Sequence, residues 1–221
     1  MQKTILITGA SRGIGLEMSR QFTASGDRVI AICRSSNSEL IEITQEVLTG
    51  IDFQDDGSFQ RVSEFIGDTS IDILINNAGV YYIEGFEDIN FDHVREQLFV
   101  NSTVPVKLTC TLLKNLHFGS KVAMMSSILG SITKNRGLAH YGYQMSKSAL
   151  NMASKSLSHD LRSKGIAIGI FHPGRVNTRM TNFDGDYTPE ESASKIISQI
   201  QKLDMSSTGK YVDLEGNELP W

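Results

Sequence analysis

Tyr143 and Lys147 are the residues whose types and spacing most directly suggest chemistry. They lie four positions apart in Tyr-Gln-Met-Ser-Lys, and apolar residues recur after them with helical spacing. Such a pair shares a helix face, where an ammonium group lowers the pKa of a phenol from about 10 toward neutrality, as a proton donor to a carbonyl requires. Tyr141 lies on a different face from Lys147, so we choose Tyr143. A helical tyrosine beside an exposed lysine is the alternative for this pair alone.

A glycine-rich stretch near the N-terminus indicates a phosphate-binding turn. Gly9, Gly13 and Gly15 follow the pattern GxxxGxG between a strand-like run at 5–7 and a helix-like run at 14–25. Glycines permit a tight turn here and let the backbone approach a pyrophosphate at the helix N-terminus. The spacing differs from the GxGxxG of the commonest dinucleotide fingerprint, and a plain structural turn is the alternative.

Two arginines indicate which dinucleotide this turn would hold. Arg34 ends the second strand, where an acidic residue would bind the ribose 2′-hydroxyl of NAD, and Arg12 lies inside the glycine turn. Guanidinium groups match phosphate oxygens in fork geometry, so the pair favours the 2′-phosphate of NADP(H). Two solvated surface arginines are the alternative.

Polar residues also follow later strands of the predicted sheet. Asp52 follows the third strand and could accept from the adenine amino group or cap the next helix. Asn77-Ala78-Gly79 follows the fourth strand, and Ser126-Ser127 follows the fifth. These positions should meet at the carboxyl edge of the sheet, where open α/β sheets bind ligands.

The elements that must position these residues alternate between strands and helices. Strands are predicted at 5–7, 29–33, 48–51, 71–75, 121–125, 166–171 and 209–213, and helices at 14–25, 38–47, 55–66, 92–116, from 141 and from 188. Pro105 is expected to bend the long helix, and Asn101 interrupts it. No repeat or linker divides the 221 residues, which indicates one α/β domain.

The composition argues against several other classes of protein. With 40% hydrophobic and 21% charged residues and a net charge of −4, the chain has no basic footprint for nucleic acid. No apolar run approaches about 18 residues, and the first residues run directly into a strand. We therefore expect no membrane association, no signal peptide and a cytoplasmic location. Cys33 and Cys110 are interpreted as buried thiols, and no metal is predicted.

Five features in order and spacing resemble the short-chain dehydrogenase/reductase family across nearly the whole chain. They are TGxxxGxG in the first turn, NNAG after the fourth strand, Asn101, a serine after the fifth strand, and YxxxK. The resemblance implies a single Rossmann-type, doubly wound domain over residues 1–221, with a seven-stranded parallel sheet flanked by helices and an NAD(P)(H) cofactor.

The resemblance also implies a role for each matching residue. Tyr143 would donate or remove a proton, and Lys147 would bind the nicotinamide ribose and lower the tyrosine pKa. Ser127 would polarise the substrate carbonyl, and Asn101 would support a water relay. The segment after the sixth strand matches PGxVxT, which lies along the nicotinamide and pyrophosphate; His172, just before it, is left outside the site. The predicted cofactor-binding residues are Gly9, Ser11, Arg12, Gly13, Ile14, Gly15, Arg34, Asp52, Asn77, Ala78, Gly79, Tyr143, Lys147, Pro173, Gly174, Val176 and Thr178.

Within the family, the chain is more similar to the small carbonyl-reductase-like members that include C-factor and sniffer. Residues 126–132, 143–151 and 216–221 carry this likeness. The interval from Ser127 to Tyr143 is longer than is common in the family, which suggests an enlarged loop at 133–140. Ser126, Ser127 and Ser131 are therefore all candidates to face the substrate, and we choose Ser127.

These features predict an NADPH-dependent oxidoreductase that reduces a small ketone or aldehyde by hydride transfer, with Tyr143 as proton donor. NADP(H) is expected in preference to NAD(H). The alternative is a dinucleotide-binding regulatory or signalling protein of the C-factor type with little turnover; an interaction scaffold without cofactor is a weaker third possibility. A homodimer is predicted through the helices that begin near Asp92 and Tyr141, because Ala149, Ala153 and Ser156 would allow close helix approach.

Overall fold

The computed structural model describes residues 2–137 and 139–221, and these fold around one sheet of seven parallel strands. The spatial order is β3-β2-β1-β4-β5-β6-β7. The strands are β1 Thr4–Thr8, β2 Arg28–Ile32, β3 Val47–Leu48, β4 Ile71–Asn76, β5 Leu116–Met125, β6 Ala167–Phe171 and β7 Tyr211–Val212. The predicted seven-stranded parallel sheet is confirmed.

Helices cover both faces of this sheet. They are α1 Gly13–Ala24, α2 Ser38–Ile43, α3 Gly57–Ile66, α4 Phe91–Leu98, α5 Val104–Thr111, α6 Tyr141–Asp160 and α7 Pro189–Lys202. Successive strand residues point to opposite faces, so Ile7 packs in the layer that contains Phe22 of α1, and Leu6 packs in the layer that contains Leu150 of α6. Both layers are apolar, which is why the strands read as continuous hydrophobic runs. The fold is a doubly wound Rossmann-type domain.

The order of the strands reverses on either side of β1. The chain moves outward from β1 through β2 to β3, then returns to place β4 against the other edge of β1. Such a switch point leaves a crevice outside the carboxyl ends of the two central strands, here β1 and β4. Thr8 and Asn76 are the last residues of these strands, so the glycine turn and the NNAG segment meet at this crevice.

The helix predicted at 92–116 is wrong as a single element. The structure divides it into α4, a π-helical turn at Phe99–Thr103, α5 and a short 3₁₀ turn at Leu113–Asn115. Pro105 lies in the first turn of α5, where its missing N–H costs nothing, so it begins a helix instead of bending one. Leu116 already pairs with Ile71 as the first residue of β5, which therefore starts before the predicted strand at 121–125.

Other predicted boundaries are also too long. The helix at 38–47 ends at Ile43, because Thr44 is extended and its hydroxyl donates to the Val29 carbonyl of β2 at 2.7 Å. The strand at 48–51 is only Val47–Leu48, and the helix at 55–66 begins at Gly57. The last strand, predicted at 209–213, is Tyr211–Val212.

The two cysteines differ in their surroundings. Cys33 is buried after β2, as interpreted, but Cys110 is exposed, so the interpretation of Cys110 as a buried thiol is wrong. On α5 the inward positions are Leu108 and Thr109, and the next residue along the helix turns away from the sheet.

Among the helices of the described residues, none combines the length and the apolar character needed to cross a membrane.

Candidate active site

The glycine turn after β1 packs backbone to backbone against the segment after β4. A Cβ atom on Gly15 would lie 2.4 Å from the Gly9 carbonyl oxygen and 2.6 Å from the Asn77 side-chain nitrogen. A Cβ on Gly9 would lie 2.9 Å from the Ala78 Cα, and Gly9 also has a φ of +66°. The glycines therefore permit a contact that any side chain would prevent.

Thr8 joins the same two segments through its hydroxyl group. Its Oγ1 accepts the backbone N–H groups of Asn77 and Ala78, each at 3.0 Å. The Asn77 side-chain nitrogen donates in return to the carbonyl oxygens of Thr8 at 3.0 Å and Gly9 at 3.3 Å. These bonds fix the floor of the crevice, while the first turn of α1 has no side-chain cap and its N–H groups remain available for a phosphate.

Ser11, Arg12 and Arg34 lie on two loops that are tied together. The Asn37 side chain donates to the Ser11 carbonyl oxygen at 2.9 Å, which joins the loop after β2 to the glycine turn. Both arginines are exposed, and among the residues that the structure describes neither guanidinium forms an ion pair with a carboxylate. Arg34 lies toward the carboxyl edge of the sheet. Its charge lowers the pKa of Tyr82, after β4, against the larger rise that burial causes.

Asp52 closes a turn and does not cap a helix. Its Oδ1 accepts the N–H of Gln54 at 3.0 Å, and its carbonyl oxygen accepts the Ser58 hydroxyl at 2.6 Å. The N-cap position of α3 belongs to Asp56, so the cap alternative for Asp52 is wrong. Asp52 is exposed, and contact with an adenine group stays a prediction.

Asn101 lies in the π-helical turn and is 1% exposed. Its Oδ1 accepts the Val80 N–H at 2.8 Å, and its Nδ2 donates to the Val80 carbonyl at 2.9 Å and to the Ser146 hydroxyl at 3.0 Å. A Cβ on Gly79 would lie 3.1 Å from the same Oδ1, so the glycine of NNAG gives the amide its space. π-helical turns are frequent at functional sites, and this one connects the loop after β4 to α6.

The three candidate serines have different partners. Ser126 is buried and donates to the Asn151 side-chain oxygen at 2.6 Å, and Ser131 donates to a main-chain oxygen of Trp221 at 3.2 Å. The Ser127 hydroxyl is close enough to Tyr143 to oppose the rise in the tyrosine pKa that burial causes, and its Oγ accepts the Leu129 N–H at 3.2 Å. Of the three serines, only Ser127 is near enough to affect the pKa of Tyr143 among the described residues.

Lys147 lies beneath the ring of Tyr143 at 6% exposure. Its Nζ is 5.5 Å from the ring centroid and donates to the Met125 carbonyl at the end of β5, at 2.8 Å. Burial lowers the pKa of Lys147 to about 8. The pair thus shares a helix face, as the spacing predicts.

The expected shift in the tyrosine pKa is wrong for this arrangement. Burial raises the pKa of Tyr143 to about 12, the neighbouring Ser127 hydroxyl opposes the rise, and nearby Tyr81 adds to it. Lys147 is not among the groups that shift this pKa; its Nζ lies 5.5 Å from the ring centroid and donates to the Met125 carbonyl. The phenol therefore keeps its proton at neutral pH.

Tyr81 and His140 form an aromatic wall beside Tyr143 that sequence reasoning missed. The rings of Tyr81 and Tyr143 meet edge to face, with centroids 4.8 Å apart. The Tyr81 hydroxyl lies 3.2 Å from Nδ1 of His140, the residue before α6, and burial lowers the pKa of that histidine. The only signal in the sequence was the aromatic pair after NNAG. Residue 138 of the loop at 133–140 lies outside the described residues.

The segment after β6 reaches the glycine turn. Thr178 Cγ2 lies 3.3 Å from the position of a Cβ on Gly13, so these two predicted cofactor residues are neighbours. Val176 is buried, and the Pro173 carbonyl accepts the Ser192 hydroxyl of α7 at 2.7 Å. Gly174, at a φ of +79°, packs against Tyr187.

His172, left outside the predicted site, donates its backbone N–H to Val212 of β7 at 2.8 Å. Burial lowers the pKa of its imidazole to about 4, which keeps the ring neutral. A histidine with that pKa is poorly suited to be a base near neutral pH.

Residues 3–188 match the family model described as short chain dehydrogenase. The chain belongs to this family. A 1-hydroxy-2-glutathionyl-2-methyl-3-butene dehydrogenase of Rhodococcus sp. (strain AD45) is 30% identical over 224 residues, which cover 99% of each protein. The C-signal of Myxococcus xanthus is 34% identical over 154 residues, or 68% of this chain and 93% of that protein.

Among solved structures, the NADPH-bound carbonyl reductase from chicken fatty liver superposes with a TM-score of 0.87. It is 25% identical in sequence, and the match covers 100% of this chain and 99% of that one. These similarities confirm the resemblance to the carbonyl-reductase-like members of the family. The glycine turn has no space for a Cβ at Gly9 or Gly15, and this close backbone packing fits a nicotinamide dinucleotide cofactor.

We predict that Gly15→Ala weakens NADPH binding by about tenfold or more, or about 1.4 kcal/mol. The added Cβ would overlap the Gly9 carbonyl and the Asn77 side chain and push apart the floor of the crevice. Fluorescence titration with NADPH measures the change. Gly57→Ala is the matched control, because Gly57 also lies in the first turn of a helix but has ordinary contact distances to Asp55. Wild-type affinity in Gly15→Ala would contradict the prediction.

Proposed function

We propose that this protein is an NADPH-dependent oxidoreductase that reduces a small ketone or aldehyde. The observation that carries the proposal is the Tyr143 phenol, which keeps its proton at neutral pH, is a neighbour of the Ser127 hydroxyl and lies over the buried Lys147. These groups stand at the carboxyl edge of the sheet, beside a turn that suits a dinucleotide. A protonated acid beside a second hydroxyl donor is the arrangement that carbonyl reduction needs.

The residues divide the work of reduction between cofactor binding and proton transfer. Gly9, Gly13 and Gly15 would bind the pyrophosphate, and Lys147 would bind the nicotinamide ribose. When bound, the dinucleotide supplies the hydride. Tyr143 would give its proton to the carbonyl oxygen.

Ser127 would donate a hydrogen bond to the same oxygen and so stabilise the charge that develops there. Ser127 is near enough to Tyr143 to lower its pKa, which supports the proposal that both hydroxyls reach one oxygen atom of the substrate. The nearby Lys147 ammonium would favour loss of the proton from the phenol during the reaction. Asn101 positions α6 through Ser146, and its part in a water relay stays a prediction.

Tyr143→Phe should lower the rate of NADPH oxidation with a panel of ketones and aldehydes by about 10²-fold or more, because the ring stays while the proton donor is removed. The dissociation constant for NADPH should not change. Tyr141→Phe is the matched control, since Tyr141 lies on the same helix but outside the site and should keep wild-type turnover. Turnover retained by Tyr143→Phe would remove Tyr143 as the proton donor.

The preference for NADPH should depend on Arg12 and Arg34. Arg34→Asp replaces a phosphate partner with a carboxylate that repels phosphate and accepts from a ribose hydroxyl, so the ratio of kcat/KM for NADPH to that for NADH should fall by about tenfold or more. Arg12→Ala should lower the same ratio by a smaller factor. Arg162→Asp provides an exposed control beyond the far end of α6. An unchanged ratio in Arg34→Asp would contradict this assignment.

A regulatory protein that binds a dinucleotide with little turnover is the second candidate function. The 34% identity to a protein named C-signal is the observation that favours it. Two measurements on the wild-type protein separate the candidates: NADPH affinity and NADPH oxidation across the carbonyl panel. Tight binding without turnover of any carbonyl would support the regulatory function. Turnover that depends on Tyr143 supports the reductase.

We also propose that the protein forms a homodimer through the face formed by α4 and α6. We propose a cytoplasmic location for this dimer. Tyr141, Met145 and Met152 form an apolar stripe along α6, with exposures of 40%, 49% and 71%. In sedimentation velocity the wild-type protein should run as a dimer, and Met152→Glu should shift it to monomer because a carboxylate would be buried in the contact. Phe118→Glu, at an even more exposed apolar position elsewhere, should stay dimeric. A wild-type monomer would contradict the proposal.

A further inference from the structure

We propose that Tyr211 and Trp221 are positioning residues that hold the catalytic serine in place. They act on the serine loop, defined as residues 126–135, which carries Ser127 at its start. The proposal rests on the proposed function in one respect: Ser127 must take part in carbonyl reduction. Both residues lie beyond the part of the chain that matches the family model, which ends at residue 188.

Tyr211 holds the start of the serine loop. Its hydroxyl donates to the Ser127 carbonyl oxygen at 2.5 Å, and the whole residue is 2% exposed on β7. Burial raises the pKa of Tyr211 above its ordinary value, so the hydroxyl keeps the proton that this bond requires. A carbonyl bonded in this way fixes the peptide plane from which the Ser127 side chain projects.

Trp221 holds the other end of the loop. One of its main-chain oxygens accepts the N–H of Thr133 at 2.9 Å and the hydroxyl of Ser131 at 3.2 Å. Its indole ring stacks on Tyr211, with centroids 5.5 Å apart and planes 27° apart. The two aromatic residues therefore form one unit that contacts the loop at residues 127, 131 and 133.

The segment that carries Trp221 is itself folded back on β7. The N–H of Leu219 donates to the Tyr211 carbonyl at 2.8 Å, and Val212 pairs with Glu218 in an antiparallel bridge. An ion pair between Lys210 and Glu218 adds to these contacts. Trp221 is thus held by the strand that also carries Tyr211.

The opposite side of the serine loop rests on α6. The Gly130 carbonyl accepts the Ser148 hydroxyl at 3.0 Å and the Asn151 side-chain nitrogen at 3.3 Å. A Cβ on Gly130 would lie 2.8 Å from the carbonyl carbon of Lys147, so loop and helix are in close contact. The loop is held between α6, which carries Tyr143, and the C-terminal aromatic unit. Its position sets how Ser127 meets Tyr143.

A double-mutant cycle tests the functional part of the proposal. Tyr211→Phe keeps the ring and its stacking but removes the bond to Ser127, so kcat for a carbonyl substrate should fall about tenfold while the dissociation constant for NADPH stays unchanged. In a Ser127→Ala background the same change should cost little further, because the group that it positions is gone. Equal fractional losses in both backgrounds would overturn the assignment, since Tyr211 would then act without Ser127.

Hydrogen exchange followed by mass spectrometry tests the structural part without turnover. Trp221→Ala should speed exchange at the amides of residues 128–135 about tenfold or more, with Thr133 most affected, and leave β1 unchanged. Trp221→Phe, which can still stack on Tyr211, should restore most of the protection. Unchanged exchange in Trp221→Ala would overturn the proposal.

The two experiments also separate this inference from the proposed function. A wild-type protein that reduces no carbonyl contradicts the proposed function, and the exchange experiment then decides whether the aromatic unit fixes the loop. A wild-type protein that reduces carbonyls, combined with unchanged exchange in Trp221→Ala, contradicts only the role of the aromatic unit.

Discussion

The buried side-chain amide of Asn101 connects three elements on which the active-site geometry depends. It bonds to both backbone groups of Val80, after β4, and to Ser146 on α6, while its own backbone forms part of the π-helical turn. An unpaired buried amide would cost about 1–3 kcal/mol, so all three bonds resist rearrangement together. Ser146 precedes Lys147 in sequence. The amide thereby fixes the helix that carries both Tyr143, the proposed proton donor, and Lys147 relative to the crevice.

Burial affects the pKa values of Tyr143 and Lys147 more strongly than the interaction between the two side chains does. It raises the pKa of Tyr143 to about 12 and lowers that of Lys147 to about 8, because each shift favours the neutral form in a poorly hydrated environment. The neighbouring Ser127 hydroxyl acts in the opposite direction on the pKa of the tyrosine. The Tyr143 phenol therefore stays protonated, and the Ser127 hydroxyl lies beside it. That arrangement agrees with the proposed donation of a proton to a substrate oxygen.

The serine loop shows how a site can depend on distant parts of a chain. Ser127 follows β5, but its carbonyl is bonded by Tyr211 of β7, more than eighty residues later in sequence. Parallel sheets make such contacts possible because strands distant in sequence end at the same edge. The order β5-β6-β7 brings the end of the chain beside the loop.

The sequence by itself determined the class of the fold and proposed the residues of the candidate site. Apolar runs that alternate with helical patterns predicted the seven parallel strands, since a sheet buried on both faces needs continuous hydrophobic strands. The glycine turn and NNAG could be recognised because close backbone contact tolerates only small residues at fixed spacing. Tyr143 and Lys147 could be paired because helical periodicity is local.

Only the tertiary structure decided what depends on contacts distant in sequence. The helix predicted at 92–116 is interrupted where the Asn101 side chain accepts the Val80 N–H. It ends before Leu116, because Leu116 pairs with Ile71 in the sheet. The direction of the tyrosine pKa and the wall formed by Tyr81 depend on burial and on neighbours from other elements. Tyr211 and Trp221 carry no local pattern that links them to Ser127. Hydrogen bonds and desolvation depend on the distances between atoms in three dimensions. The spacing of residues along the chain does not give those distances.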